Sequence, residues 1–525
     1  MNKIYRVVFE QATGLWRVVS ECARARGKSR SQCDATRTRA ESVCAMSLAA
    51  ALMAMGAATA SAQPVEAQGA VWTGPDWMTP TTQVLVQPAS PWNLGNSALF
   101  VGLGSAQTGH LFIRAGAQVS SNNAQVGYDA GSTGVVEVGG AGAQWGTDVD
   151  LVVGRAGTGT VDINSGASVS SLNGEIGLDS SGKGTFTVAG DGSTWTVTRN
   201  IAVGNRGSGT LSIRSGGHVS SESASLGEVS GGTGSATVTG AGSTWNSVGT
   251  VHVGFSGTGA LRIEDGAAVS ASDVHIGRLT GSAGSVIVTD KGSILTANGG
   301  MRVGSSGKGE FRIENGAKVF SGGSALLGNG AQGVGTVTAT GAGSAWTHGG
   351  DLGVGGEGEG TLDINGGAGV SNAVGRIGGR AGSSGTVNVA GGGSTWTNTG
   401  VLYVGDAGTG ALDISAGATV SSDGAQVGQA ANSSGTVTVR GPGSTWDIQA
   451  CPISVFRGQA RSRSLTAPCC APNGAISATR PTVWARSPCG GGTRNGAMAA
   501  PTSTWATRVR ARSMSNRGRA SGSPM

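Results

Sequence analysis

The sequence predicts an all-β fold, a right-handed parallel β-helix (solenoid) of about 25-residue coils arranged in 50-residue repeats. Three observations predict it: a fixed repeat, a half-repeat inside it, and short alternating segments without helical periodicity. Such fixed-period self-similarity is the signature of a repeat architecture. Leu295 fills one slot of the repeat, and tryptophan fills the others at Trp145, Trp195, Trp245, Trp346, Trp396 and Trp446.

Each repeat contains two related halves. The first half, from Val153 to Ser170, follows the pattern VGxxGxGTLxIxxGAxVS, with Val161 in the leucine position. The second half, from Ile176 to Trp195, follows IGxxxxxxGTxxVxGxGSTW. Because both halves align on their Gly-Thr pair and their alternating apolar residues, each half corresponds to one coil.

The strands are predicted from apolar and polar residues that alternate with period two, bounded by Gly, Ser and Asn clusters typical of turns. Coils stack at the strand spacing of about 4.8 Å, and the span from Trp92 to Trp446 has room for roughly 14 coils. We expect Val161 and Ile163 to point inward onto Phe186 and Val188 of the next coil. The matching outward positions hold Asp162, Ser212, Arg262, Arg312, Asp363 and Asp413.

The recurrent corner tryptophans allow two interpretations, a platform that binds sugars or a stacked hydrophobic ladder that closes each coil. We favour the ladder. The composition agrees with a solenoid, because the 97 glycines among 525 residues lack the every-third spacing of collagen. All 13 prolines lie outside the span from Trp92 to Gly441, as expected for strands whose N–H groups form ladders.

Residues 1–62 are predicted to be an extended signal peptide. An apolar run from Ser47 to Met55 follows basic residues and leads to Ala60-Ser61-Ala62, a small-x-small cleavage site. The run is too short and too rich in alanine for a stable spanning helix, so we predict export through the Sec translocon and no membrane span. Residues 63–91 are predicted to form an N-terminal cap or linker, and residues 92–450 the repeat β-helix.

The leader resembles the extended signal peptide region of type V secreted proteins of Gram-negative bacteria. The matching segments are Met1–Val7, Gly14–Trp16, Val18–Glu21 and Ala25–Lys28. Residues 92–450 also resemble the repeat of autotransporter passengers. The resemblance implies a β-helical passenger that a C-terminal β-barrel carries across the outer membrane, and it implies no catalytic residues.

Charge divides the chain into three parts. Residues 1–62 carry net +5 and residues 451–525 net +11; because the whole chain carries +6, residues 63–450 carry −10. An acidic repeat body argues against nucleic-acid binding. The body also lacks cysteine, which suits transport through an oxidising periplasm. The seven cysteines lie in the two ends, at Cys22, Cys33, Cys44, Cys451, Cys469, Cys470 and Cys489.

Residues 451–525 break the repeat and admit three interpretations: a basic nucleic-acid arm, a four-cysteine module, or translation in a wrong reading frame. The genetic code favours the last. Joining the third base of each codon to the first two bases of the next makes Trp505 and Ala506 encode Gly, one hundred residues after Gly405. The same frame permits GTVTVRGGNSxW over residues 484–495, which mirrors Gly435 to Trp446.

We therefore expect a frameshift near Ala450, a disordered out-of-frame tail over 451–525, and no barrel in this chain. On this hypothesis the 525-residue form enters the periplasm, whereas an intact full-length form reaches the cell surface or outer membrane. Whether the passenger is cleaved is left open.

No catalytic, cofactor-binding or metal-binding residue is predicted. The five histidines, His110, His218, His252, His275 and His348, show no metal-ligand spacing. Outward Asp162, Asp363 and Asp413 share one repeat position, but Ser212, Arg262 and Arg312 interrupt the series.

Two functions in different classes remain. The first is a non-catalytic, monomeric, exported passenger that acts as an adhesin-like stalk or display rod, with a host surface or a glycan as its ligand. The alternative is a β-helical carbohydrate-active enzyme of the lyase or hydrolase type. Long loop insertions would favour the enzyme, and the near-constant repeat spacing leaves no room for them.

Overall fold

The computed structural model describes residues 65–449 except 77–79, 81 and 85–87, and the backbone of strand segments outside that range. All regular structure among the described residues is β-strand. Contact clustering divides the chain into two units, Met1–Ala60 and Ser61–Met525. In the first unit, Tyr5–Glu10 and Leu15–Ser20 form an antiparallel hairpin. The predicted apolar run and cleavage site of the leader lie outside the described residues.

The second unit is a parallel β-solenoid of about 14 turns with coils of about 25 residues, which confirms the predicted fold class. Each coil contributes one strand to each of three ladders, here named sheets 1, 2 and 3 in the order of the chain. In one coil these are Asn200–Val203, Ser208–Arg214 and His218–Ser221. Every strand pairs in parallel with its equivalents in the coils before and after, as in the Lys183–Ala189 and Ser208–Arg214 pair.

The strand bounds follow the half-repeat closely. Sheet 1 consists of Ala98–Val101, Ala124–Val126, Asp150–Val153, Asn173–Ile176, Asn200–Val203, Ser223–Leu226, Val251–Val253, Val274–Ile276, Met301–Val303, Ala325–Leu327, Leu352–Val354, Gly375–Ile377, Val401–Val404 and Gly424–Val427. Sheet 2 has the longest strands: Thr108–Ile113, Thr133–Gly139, Thr158–Asn164, Lys183–Ala189, Ser208–Arg214, Thr233–Thr239, Thr258–Glu264, Ala283–Val288, Lys308–Ile313, Val334–Thr340, Glu359–Asn365, Ser384–Ala390, Thr409–Ser415 and Ser434–Arg440. Sheet 3 consists of Trp92–Asn93, Gln118–Ser121, Gln144–Thr147, Ser168–Ser171, Thr194–Val197, His218–Ser221, Thr244–Ser247, Ala268–Ala271, Ile294–Ala297, Lys318–Ser321, Ala345–His348, Gly369–Asn372, Thr395–Asn398, Thr419–Ser422 and Thr445–Ile448.

Two antiparallel strands cover the N-terminal edge of the solenoid. Val65–Gly69 pairs with Thr108–Ile113 of sheet 2, and Val71–Gly74 pairs with Ala98–Val101 of sheet 1. Thr82–Gln83 extends the second of these pairings. Because an open parallel edge offers unpaired N–H and C=O groups to other chains, this reversal of direction protects it.

The core is a column of inward side chains stacked coil on coil. Val161 and Ile163 lie opposite Phe186 and Val188 in the adjacent strand, and all four are fully buried. This confirms the predicted stacking. Burial alternates along the sheet 2 strands, apart from Thr187, which is buried at an intervening position, so intervening residues such as Asp162 face outward.

The tryptophans form an internal ladder in sheet 3, as predicted. Each is at most 1% exposed, which excludes their use as surface platforms for sugars. They alternate with small apolar residues, so that Trp245 lies between Val219 and Val269. In five of the six, the indole N–H donates to a polar side chain one coil earlier, as from Trp396 to Asn372 Oδ1 at 2.7 Å.

The Gly-Ser-Thr-Trp corner joins neighbouring coils through its serine. Ser193 Oγ donates to the Ala189 carbonyl at 2.8 Å and accepts the Gly166 N–H of the preceding coil at 3.0 Å. The glycine of the Val-Gly pair is required for a different reason. Gly154 has φ of 71°, and a Cβ there would lie 2.2 Å from the Lys183 carbonyl oxygen.

The predicted out-of-frame tail lies outside the described residues apart from the backbone of four short strands. Of these, Ser454–Val455 and Gln459–Arg463 pair in parallel with strands of the last described coil in sheets 1 and 2. Gly474–Ser477 pairs antiparallel with Thr445–Ile448, and Arg508–Val509 pairs antiparallel with Gln459–Arg463.

Candidate ligand-binding groove

The outward face of sheet 1 carries one column of side chains whose size and charge change from coil to coil. In register, the middle of this column reads Glu175, Ala202, Ser225, His252, His275 and Arg302. Two short residues between two longer ones leave a hollow in the surface. The hollow is a groove of about 440 Å³, lined by Asn173, Glu175, Asn200, Ile201, Ala202, Ser223, Ala224, Ser225, Glu228 and His252.

The floor of the groove is made by the solenoid itself, so its position is fixed by the ladder. Ala202 is 4% exposed although it faces outward, because the longer Glu175 side chain flanks it. Beside this column lies a second one, in which Asn200 is opposite Ser223. The side chains of Asn200, Ser223 and Ser225 make no hydrogen bond within the described part of the chain, so their polar groups are available to a ligand.

One amide holds two carboxylates at the edge of the groove. Asn205 Nδ2 donates to Glu175 Oε2 at 3.2 Å and to Glu228 Oε2 at 3.0 Å. Asn205 and Glu228 lie in the turns that follow sheet 1 in successive coils. At the same end as Glu175, Asn173 Nδ2 donates to Asp150 Oδ1 at 3.0 Å.

Burial and like charge favour the protonated form of this pair. Burial first, then the negative charges of Glu228 and Asp150, raise the pKa of Glu175 to about 7, although the hydrogen bond from Asn205 acts in the opposite direction. Burial also raises the pKa of Glu228. Near neutral pH the Glu175 carboxyl group can therefore donate a hydrogen bond as well as accept one.

A basic and aromatic cluster borders the other end of the groove. The imidazole rings of His252 and His275 lie 5.1 Å apart in adjacent coils. Arg278 Nη1 lies 3.3 Å from His252 Nε2, and Arg302 Nη1 lies 2.8 Å from His275 Nε2. The Arg278 guanidinium also covers the Phe255 ring, at 4.6 Å from its centroid.

Both histidines are held in the neutral form. Burial, and then the charges of His275 and Arg278, lower the pKa of His252 to about 3. Burial, and then the charges of Arg302 and Arg278, lower the pKa of His275 to about 4. Because an arginine can only donate, each Nε2 accepts, and the proton of each ring is on Nδ1.

The carboxylates that the sequence singled out do not form a site. Asp162, Asp363 and Asp413 all face outward from sheet 2; Asp162 is many coils from the other two, and Asn388 lies between Asp363 and Asp413 in the column. Asp363 accepts a hydrogen bond from Asn388 at 2.7 Å, and Asp413 pairs with Arg440 at 3.1 Å. Among the described residues, no group of three or more His, Cys, Asp or Glu is placed to hold a metal ion.

Sequence reasoning missed the groove because it compared positions 50 residues apart. Glu175 and His252 occupy different halves of the repeat, yet the halves stack in one ladder, as His252 opposite His275 shows. Of the other histidines, His110 stacks on Phe112 in sheet 2, and His218 contacts Thr244 in sheet 3 at 2.8 Å. Aligning sheet 1 strands from both half-repeats would have placed Glu175, Ala202, Ser225 and His252 side by side.

The fold and the leader together define a class of protein. Stacked parallel coils without a helix form the elongated solenoid expected of a secreted passenger. Residues 1–51 match the family described as Extended Signal Peptide of Type V secretion system. The leader indicates a substrate of type V secretion and implies Sec-dependent export across the inner membrane, and the β-solenoid fits an autotransporter passenger.

Comparison with curated proteins and with solved structures gave no significant match. Within the described ranges, the chain offers no helical segment with the length and hydropathy of a membrane span.

Proposed function

We propose that this passenger is a non-catalytic, adhesin-like rod that acts at the cell surface. The observation that carries the proposal is the uniformity of the coils. Connections between strands are short turns, such as residues 177–182 between Asn173–Ile176 and Lys183–Ala189. Many active sites use loops that close over a substrate and exclude water, and short turns supply no such loops.

The dimensions of the solenoid support the same role. About 14 coils at the ~4.8 Å strand spacing give a rod on the order of 65 Å long. Each coil contacts its neighbours through continuous ladders, so the rod is stiff along its axis. A stiff rod with polar, mostly uncharged faces suits the presentation of a ligand-binding region at a distance from the membrane.

The second candidate, a β-helical carbohydrate-active enzyme, is favoured by the carboxylates of Glu175 and Glu228. Paired carboxyl groups with different proton affinities are the usual apparatus of glycoside hydrolysis. In this groove, however, Asn205 ties one oxygen of each carboxylate. Reducing-end release from a panel of polysaccharides decides between the two, and release that disappears in Glu175→Gln would contradict the non-catalytic proposal.

Surface display is tested by labelling intact cells that make the intact full-length form, because the 525-residue form is expected to remain in the periplasm. We expect the solenoid to react with a membrane-impermeant reagent and to be shed by external protease as a resistant fragment covering residues 92–449. A periplasmic protein of the same cells, which must stay unlabelled, serves as the control. A solenoid protected from both reagents until the outer membrane is broken would contradict display.

A further inference from the structure

We infer that the groove between Glu175 and His252 on sheet 1 is a binding subsite for a short, uncharged carbohydrate segment that lies along the solenoid axis. The inference rests on the proposed adhesin function and adds the ligand class and its location. Three features of the groove carry it: its free polar groups, its length across the strands, and its charge.

The free polar groups match those of a sugar. Hydroxyl groups of Ser223 and Ser225 and the amide of Asn200 face the groove without partners in the described part of the chain. Each of these groups can both donate and accept, as can every hydroxyl of a sugar. A ligand that displaces water from these groups keeps their hydrogen bonds only if it can both donate and accept hydrogen bonds. An apolar ligand or a simple ion would not replace them.

The length of the groove fits a chain of sugars. From Glu175 to His252 it crosses four strands, or about 14 Å at the usual strand spacing. A hexose in an extended oligosaccharide advances by a distance similar to one strand spacing, so two or three units would lie on Ala202 and Ser225. The volume of about 440 Å³ lies within the range of ligand sites.

The charge of the groove selects against acidic sugars. Glu175 and Asp150 lie at one end and Glu228 lies along the side, in the coil of Ser225, so a uronate or a sulfate there would meet carboxylates. Burial raises the pKa of Glu175 to about 7, which lets the carboxyl group bond hydroxyl groups in either direction near neutral pH. At the other end, the His252 ring is neutral, and the Arg278 guanidinium beside it is already engaged by His252 Nε2 at 3.3 Å and by the Phe255 ring.

The test fills the groove without touching the core. Ser225→Tyr is suitable because Tyr403 already occupies the same outward column, with Arg376 over its ring at 4.6 Å. Gln426→Tyr, in the same column beside Tyr403, is the matched control outside the groove. Glu175→Gln, which keeps the side-chain volume, is a second variant that does not depend on added bulk.

The full chain and the three variants are applied to immobilised gluco-oligosaccharides, N-acetylglucosamine oligomers, heparin fragments and chitosan. We expect neutral oligosaccharides to bind the natural chain and the Gln426→Tyr control alike, with binding weakened at least ten-fold by Ser225→Tyr. Glu175→Gln should retain binding, because its amide both donates and accepts as the protonated carboxyl group does. The inference is overturned if no neutral oligosaccharide binds, if Ser225→Tyr binds as the natural chain does, or if chitosan alone is retained.

Surface labelling of the intact full-length form and its variants separates this inference from the proposed function. A chain that is displayed at the surface but takes no neutral carbohydrate overturns the subsite and leaves the rod function standing. A chain that binds carbohydrate in solution but is never displayed overturns the surface role and leaves the subsite standing.

Discussion

At the residue scale, the tryptophan ladder is the largest single contribution to the core. Each indole fills the space between two smaller residues of adjacent coils, as Trp245 does between Val219 and Val269. Its N–H also donates to Ser221 Oγ at 3.4 Å, so the ring buries its polar atom without leaving it unpaired. Side chains of this size dominate the energetics of packed interiors.

Replacing Trp245 with alanine should destabilise the solenoid by roughly 3–5 kcal/mol, the range for large-to-small changes at buried sites. The loss arises from the missing contacts and from the cavity that rigid neighbouring coils cannot close. Thermal unfolding of the full chain, followed by circular dichroism, measures it. Val248→Ala is the control, because Val248 is 81% exposed and should change stability little. An equal melting temperature for both variants would show that Trp245 is not structural.

His348 makes the same sheet sensitive to acid. It is 6% exposed, its ring lies 4.0 Å from that of Trp346, and neither ring nitrogen has a hydrogen-bond partner within the described part of the chain. Burial lowers the pKa of His348 to about 3, from about 6.5. Between these pH values the unfolded chain binds a proton that the folded chain excludes, so this residue's contribution to folding stability falls as the pH falls.

The variant His348→Ser should therefore be less acid-sensitive than the natural chain. Serine occupies the adjacent position of the column at Ser321, so it is compatible with the fold. We expect the stability of the variant, relative to the natural chain, to rise as the pH is lowered from 7 to 4 in denaturant titrations. The control is His218→Ser, at an exposed position of sheet 3. It measures how removing a solvent-exposed histidine changes the pH dependence of stability. A difference that stays constant with pH would contradict the lowered pKa.

At the element scale, the unit that stacks is the single coil of about 25 residues. Two coils are needed for one full period of the core, because large and small side chains alternate from coil to coil. Successive sheet 3 strands present Trp346, Val370 and Trp396, so large and small residues alternate. The alternation lets each indole overlap the smaller residue above and below it. The repeat length in the sequence is thus set by packing in sheet 3, whereas the coil length is set by the three-sheet circuit.

Two deletions distinguish these units. Removing residues 355–404 joins Val354 to Gly405, takes out two coils and preserves the alternation. Removing residues 355–377 joins Val354 to Gly378, takes out one coil and brings Trp346 next to Trp396. We expect the first variant to keep nearly the melting temperature of the natural chain and the second to be clearly less stable, since overpacking costs typically 1–3 kcal/mol. Equal stability of the two variants would show that the alternation is unimportant.

At the largest scale, the solenoid of the second unit is a linear array in which each coil contacts its neighbours, so local features do not disturb distant coils. The polar groove on sheet 1 interrupts the regular surface over the coils from Glu175 to His252, while the core beneath it is unchanged. The outward residues of the groove can therefore change with little effect on the stability of the solenoid. This separation suits a passenger whose scaffold and ligand site serve different roles.

The frameshift hypothesis gives a prediction at this scale. Sequencing the gene around codon 450 and reading the alternative frame downstream should reveal further repeats, with Gly at position 505 and Trp near position 495 in the present numbering. Restoring the frame should extend the protease-resistant region beyond residue 449. An alternative frame that meets stop codons before position 495, or that lacks the repeat pattern, would contradict the hypothesis.

By itself, the sequence determined the secretion class, the β-helical fold, the inward and outward positions of sheet 2, and the buried role of the tryptophans. These follow from periodicity and from the leader, both of which are local or repeated along the chain. The groove on sheet 1, which follows once the strands of both half-repeats are placed in register, was recognised only in the tertiary structure, because these strands are three or four residues long and their outward residues differ from coil to coil. That register brings Glu175, Asn205 and Glu228 together and places Ala202 and Ser225 as the floor between Glu175 and His252. No repeat pattern marks these residues, since a groove arises where side chains from successive coils differ in length.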